Sequence, residues 1–127
     1  MKILVIDDEK TIRDLLRIWL EREGYTVFEA DNGRKGVAAH RRSPVDLVIC
    51  DLIMPEQEGI ETIGYFTKEF PEVGVIAISG GGHIGAHAYL AVAQQLGAWK
   101  IFPKPLDMAA IIEAIKSWPA AGRHCIS

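Results

Sequence analysis

Five short apolar runs, each followed by a stretch with helical spacing, constrain the fold of this chain more than any other feature. The runs are ILVID (3–7), TVFEA (26–30), LVICD (47–51), GVIAIS (74–79) and WKIF (99–102). Continuous apolar segments of this length read as strands buried on both faces. Between the first two, Ile12, Leu15, Leu16, Trp19 and Leu20 recur at helical spacing, and Gly24 closes the pattern. A weaker helix spans 33–42 and is stopped by Ser43-Pro44. Ile60, Ile63, Thr67 and Phe70 mark a third helix face ended by Pro71. Residues 86–96 supply a fourth helix, and Met108, Ile111, Ile112 and Ile115 a fifth, stopped by Pro119. Regular alternation with no repeat and no linker predicts an α/β fold, a doubly wound five-stranded parallel sheet covered on both faces. Periodicity does not fix the strand order, although right-handed crossovers leave few choices.

The totals bound the function. At 127 residues, 49% of them hydrophobic, the chain is one domain with a core of ordinary size. The net charge is −3 and Lys and Arg are scattered, so no basic face for nucleic acid is expected. The apolar runs are too short to span a membrane, and MKILVIDDEK lacks the pattern of a signal peptide. Cys50 sits in an apolar run and Cys125 in the tail, without disulfide or metal spacing, which fits a reducing cytoplasm. Residues 1–118 are expected to form the domain and 119–127 a short C-terminal tail.

In a sheet of this kind, ligands bind beyond the carboxyl ends of the strands. The sequence places Asp7 and Asp8 after the first strand, Asp51 at the third, Ser79 at the fourth and Lys104 after the fifth. Asp31, after the second strand, lies off this cluster if that strand is at the edge. Carboxylates crowded together raise one another's pKa. A hard divalent cation relieves the crowding, and Mg²⁺ takes one or two carboxylates together with waters and phosphate oxygens. Three carboxylates, Mg²⁺ and Lys104 sum to zero charge, a pocket suited to a dianionic phosphoryl group. The chemistry this suggests is phosphoryl transfer to one of the carboxylates, driven by positioning and charge neutralisation. A lone acid at a strand end is ordinarily a solvated turn residue; the joint pattern over four strands is what points to a site.

With VIDDE (5–9), DLIMPEQEG (51–59), AIS (77–79), GA (97–98) and KP (104–105) in this order, the chain resembles the receiver domain of two-component response regulators over residues 2–117. The resemblance implies a flavodoxin-like (β/α)5 fold with strand order 2-1-3-4-5. It implies that Asp51 is the phosphoacceptor, and that Asp7, Asp8, Asp51 and the backbone carbonyl of Ile53 hold Mg²⁺. Ser79 matches the switch hydroxyl and Lys104 the lysine that pairs with the phosphoryl group, with the Lys104–Pro105 bond cis. The implied function is a signalling switch, not an enzyme acting on a separate substrate. A histidine kinase or histidine phosphotransfer protein would phosphorylate it. A downstream protein would read it through the face of helix 4, strand 5 and helix 5, unless the phosphoryl group passes onward. Neither nucleic acid nor membrane is an expected direct partner, and the chain is expected to be a monomer or a phosphorylation-dependent dimer. The tail PAAGRHCIS is too short for an output domain, so a stand-alone receiver is expected, of the subgroup with a Gly-rich loop after strand 4.

Three departures from the family pattern stand out. Ile101 occupies the position where receivers usually carry Tyr or Phe, with Trp99 on the same strand parity either a substitute or a simple packing residue. Ser79 and Lys104 are 25 residues apart, and the excess falls in GGGHIGAHAY (80–89), whose His83 and His87 are too few for a metal site by themselves. Ile53 and Gly81, two positions after the acceptor and after the switch hydroxyl, cannot orient a water, which predicts slow self-dephosphorylation. The helix over 88–96 carries little charge, so part of its apolar surface is a candidate partner face. Rival readings fare worse. A haloacid-dehalogenase-type phosphatase needs a second Asp where Ile53 stands, and a flavodoxin-like carrier would need a phosphate cradle where DDEK stands. A pseudo-receiver that switches without phosphate is the remaining alternative, suggested by Ile101.

Overall fold

The computed structural model of the chain describes residues 1–55, 58–80 and 86–119. Five strands and five helices alternate: β1 (Lys2–Ile6), α1 (Lys10–Arg22), β2 (Thr26–Ala30), α2 (Gly33–Arg42), β3 (Leu47–Asp51), α3 (Glu58–Glu69), β4 (Gly74–Ser79), α4 (Ala86–Gln95), β5 (Lys100–Pro103) and α5 (Met108–Lys116). The strands form one parallel sheet in the order β2-β1-β3-β4-β5, as the resemblance implies. The order reverses direction between β1 and β3, and the switch point lies where their carboxyl ends meet.

The continuous apolar runs are explained by double coverage. Every residue of β3 and β4 is buried. On one side of the sheet Ile3, Val5, Ile49, Ile76 and Ile78 pack with Leu16 and Leu20 of α1 and Ile111, Ile112 and Ile115 of α5. On the other, Leu4, Ile6, Val48, Cys50 and Val75 pack with Ile63 and Phe66 of α3 and Ala93 of α4. The predicted faces of α1 and α5 are thus borne out. In α3 the buried set is Gly59, Thr62, Ile63 and Phe66, and Phe70 lies just past the helix end. Ile60, Ile63 and Phe70 pack on the core as predicted, but Phe66 is buried where Thr67 was expected. Thr67 instead donates its hydroxyl to Leu96 O at 2.7 Å.

Turn chemistry sets the joints. Gly24 closes α1 with φ +91° and Gly97 joins α4 to β5 with φ +95°, a region that glycine occupies without steric cost. Asn32 caps α2 by accepting from Lys35 N at 2.8 Å, and Asp107 caps α5 by accepting from Ala110 N at 3.1 Å. The fifth strand begins at Lys100, one residue later than predicted, and this breaks the parity of Trp99 with Ile101. Trp99 packs on the α1–α5 side against Trp118, ring centroids 4.8 Å apart, whereas Ile101 packs on the α3–α4 side. Trp99 is a packing residue and not a stand-in for the missing aromatic. Cys50 is buried and free. Gly81, His83 and Cys125 lie outside the described residues, as does the side chain of His87. Among the described residues, no helix is long and apolar enough to cross a membrane.

Candidate phosphoacceptor site

Asp51 is delivered by β3, the central strand, and its side chain is only 3% exposed. Its Oδ1 accepts from Ile53 N–H at 3.0 Å and its Oδ2 from Lys104 Nζ at 3.2 Å. Asp7 follows β1 directly; its N–H donates to Ala30 O at 3.1 Å, extending the β1–β2 pairing by one bond. Oδ1 of Asp7 accepts from Glu9 N–H at 2.8 Å, so the fully buried carboxylate also ties down the start of α1. Its Oδ2 lies 3.1 Å from Lys104 Nζ, but the angles fall outside hydrogen-bond geometry. Arg13 reinforces the same corner by donating to Asp7 O at 2.8 Å and pairing with Glu29 at 3.1 Å.

Lys104 reaches this pair from the loop after β5. Its N–H donates to Ser79 O at 2.7 Å, which aligns the ends of β4 and β5, and its peptide bond to Pro105 is cis. Nζ contacts Asp7, Asp51 and also Glu9, the last at 3.3 Å. Ser79 is fully buried at the end of β4, where its register partner is Pro103. Of the sequence-predicted residues, Asp7, Asp8, Asp51 and Lys104 converge. Glu9 is the addition: one carboxylate oxygen from each of Asp7, Asp8, Glu9 and Asp51 lies within 4.8 Å of the others. The signal for it was present in VIDDE, whose last residue starts α1 close to the pair. Asp31 stands apart, paired with Lys35 at 3.2 Å.

The electrostatics follow from burial. Desolvation, and then the charge of Asp7, push the pKa of Asp51 from its ordinary 3.8 up to about 6, against the opposing pull of Ile53 N–H and Lys104. Burial likewise raises the pKa of Asp7 from its ordinary value. Desolvation works against the Lys104 ammonium, but Asp51 and Asp7 outweigh it and hold its pKa above the ordinary value. Two buried carboxylates thus share one ammonium, with Asp8 and Glu9 adding charge at the rim. An all-oxygen donor set with an unaligned Asp7 Oδ2 fits a hard divalent cation such as Mg²⁺.

A glycine places the loop after Asp51. A Cβ on Gly59 would sit 2.1 Å from Asp51 O and 2.5 Å from Leu52 O, so only glycine lets the first turn of α3 close on that backbone. Next to it, Glu58 accepts from Gly33 N at 2.6 Å and Arg34 N at 3.2 Å, fastening α3 to the start of α2. These two residues are the E-G of the D-x-x-M-P-x-x-E-G segment, and their contacts give that spacing a physical reason.

A model of the response regulator receiver domain family matches residues 3–116. The chain belongs to this family. Sporulation initiation phosphotransferase F of Bacillus subtilis (strain 168) is 32% identical over 117 residues, 92% of each chain. The transcriptional regulatory protein ResD of the same organism is 52% identical over 60 residues, but the match spans only 25% of its length, and other transcriptional regulators are likewise far longer than this chain. Among solved structures, a receiver domain from Clostridium thermocellum superposes with a TM-score of 0.84 at 28% identity, covering 98% of both chains. Receiver domains generally bind Mg²⁺ at an acidic pocket, and this receiver has such a pocket at the carboxyl ends of β1 and β3.

Proposed function

We propose that this receiver is a phosphorylation-activated switch whose Asp51 accepts a phosphoryl group from a histidine kinase or histidine phosphotransfer protein. The observation that carries the reading is the buried Asp51 carboxylate held 3.2 Å from the Lys104 ammonium with Asp7 beside it. A carboxylate oxygen of Asp51 forms the new O–P bond as the donor's P–N bond breaks and the electron pair returns to the imidazole. Ile53 N–H keeps one carboxylate oxygen occupied and so orients the other. Lys104 neutralises charge gathering on the phosphoryl oxygens, and the Ser79 hydroxyl is the group that answers the new aspartyl phosphate. Asp7, Asp8, Asp51 and the carbonyl of Ile53 would hold Mg²⁺, with Glu9 at the rim. That ion supplies charge neutralisation and a template for the phosphoryl oxygens.

The chain then catalyses only its own phosphorylation and a slow dephosphorylation. Its output is a protein contact on the face of α4, β5 and α5, or onward transfer, as the name of the Bacillus phosphotransferase suggests for that relative. A cytoplasmic setting, and a monomer or phosphorylation-dependent dimer, fit this role. The test is incubation with acetyl phosphate and Mg²⁺ followed by intact mass. Wild type gains one phosphoryl group, and the gain disappears with Asp51→Asn or with chelator. Absence of any adduct on wild type overturns the proposal in favour of a phosphate-independent module.

A further inference from the structure

Away from the Asp51 site, α2 carries a basic face whose arginines are not ion-paired among the described residues. Among the described residues, Arg13 and Arg17 are committed to Glu29, and Lys35 to Asp31. Arg34, Arg41 and Arg42 form no ion pair among the described residues, although all three are exposed and the chain as a whole is acidic. They are not scattered. Together with Val37, Ala38 and Tyr65 they line one open groove of about 660 Å³ along the outer side of α2 and the facing part of α3.

The groove is built for a particular chemistry. Arg34, Ala38, Arg41 and Arg42 stand at i, i+4, i+7 and i+8, so they share one side of the helix, with Arg41 about 10.5 Å and Arg42 about 12 Å from Arg34 along its axis. The Arg41 guanidinium lies over the Tyr65 ring at 5.7 Å and donates to the Tyr65 hydroxyl, which leaves its remaining N–H groups presented in a fixed plane. Tyr65 is itself braced edge-on by Phe70 at 5.8 Å. Two charged ends with an apolar floor between them match carboxylates two helical turns apart that flank an apolar side chain. Exposed Glu61 lies on the adjoining stretch beside Tyr65 and would repel an acid placed beyond the groove on that side. Three arginines on an apolar floor, in a chain of net charge −3, suit a short acidic protein segment better than a continuous polyanion.

We propose that the α2 groove is a docking surface for an acidic amphipathic helix of a partner protein, distinct from the α4–β5–α5 face. The probe is a helical peptide with Glu at two positions seven apart and Leu between them, against a control with both Glu replaced by Gln. Titrated into the ¹⁵N-labelled full chain, the Glu peptide is expected to shift the amides of Arg34, Val37, Ala38, Arg41 and Tyr65. Arg34→Gln and Arg42→Gln touch no ion pair, and each is expected to weaken binding about threefold, the pair about tenfold. Lys10→Glu on α1 should leave it unchanged. Equal binding of the Gln peptide, shifts elsewhere, or no shifts at all would overturn the proposal. So would tighter binding of duplex DNA or phosphatidylglycerol vesicles to the same arginines, which would make the groove a general polyanion surface. Thermal melts of each variant, unchanged from wild type, separate lost binding from lost folding.

Discussion

Replacing Asp51 with Asn probes the strain that this site carries when metal-free. Burial first, then Asp7, lift the Asp51 pKa from 3.8 to about 6. An acid whose folded-state pKa lies above its unfolded value binds its proton more tightly when folded, so ionisation works against the fold as pH rises. The destabilisation is absent below 3.8, grows through the interval up to about 6 and is complete above it. A shift of this size corresponds to about 3 kcal/mol, with about half of that in place near pH 5. Asn keeps the shape and the acceptor for Ile53 N–H but cannot ionise. In chelator at about pH 7.5, urea denaturation should therefore show Asp51→Asn more stable than wild type by about 2–3 kcal/mol, the gap closing as pH falls toward 4. Adding Mg²⁺ should narrow or reverse the gap, because an ion that binds only the folded wild type stabilises it by mass action. A wild type equal in stability to the variant in chelator, or a gap that does not change with pH, would refute the electrostatic account.

Other expectations follow from the same contacts. His40 is 4% exposed, its Nδ1 accepts from Val45 N–H at 3.1 Å, and burial holds its pKa below the ordinary 6.5. Its contribution is present above the unfolded pKa and lost as pH falls below about 6.5. His40→Leu should abolish that acid sensitivity while costing about 1–3 kcal/mol for the orphaned Val45 N–H, both read from denaturation at several pH values. Gly59→Ala forces a methyl toward Asp51 O and should cost about 1–3 kcal/mol while slowing phosphorylation by acetyl phosphate, timed by intact mass. Ile53 is 37% exposed beside the acceptor and cannot hydrogen-bond a water through its side chain. The aspartyl phosphate should therefore outlast seconds and shorten its life in Ile53→Asn; release within seconds from wild type would refute this.

Much of the fold was legible because the strands are buried on both faces and so read as unbroken apolar runs. LVICD and GVIAIS coincide with β3 and β4 to the residue. The cluster was legible because strand ends are fixed once strands are, and the strand order implied by the family resemblance then brings Asp7, Asp51 and Lys104 together. What was not legible depended on contacts between elements. Glu9 joins the cluster only because the start of α1 turns back over Lys104. Phe66 takes the core position expected of Thr67, a choice between neighbouring residues of one helix that hydrophobic spacing does not settle. Trp99 changes side because its strand starts one residue late. Arg13, which ties α1 to Glu29 and to Asp7 O, carries no local signature at all.

The stacked Trp99–Trp118 pair has a practical meaning for anyone working with this receiver. Trp99 N–H donates to Val75 O and Trp118 packs over Gly74, so both indoles sit at the amino end of β4. Asp51 lies at the opposite end, about 15 Å away at the usual strand rise. Emission from this pair, together with that of Trp19 on α1, should register cooperative unfolding clearly and remain silent to Mg²⁺ bound at Asp51. An optical signal that reports the loss of the fold without reporting occupancy lets stability be measured under loading conditions with no correction for the ligand's own quenching.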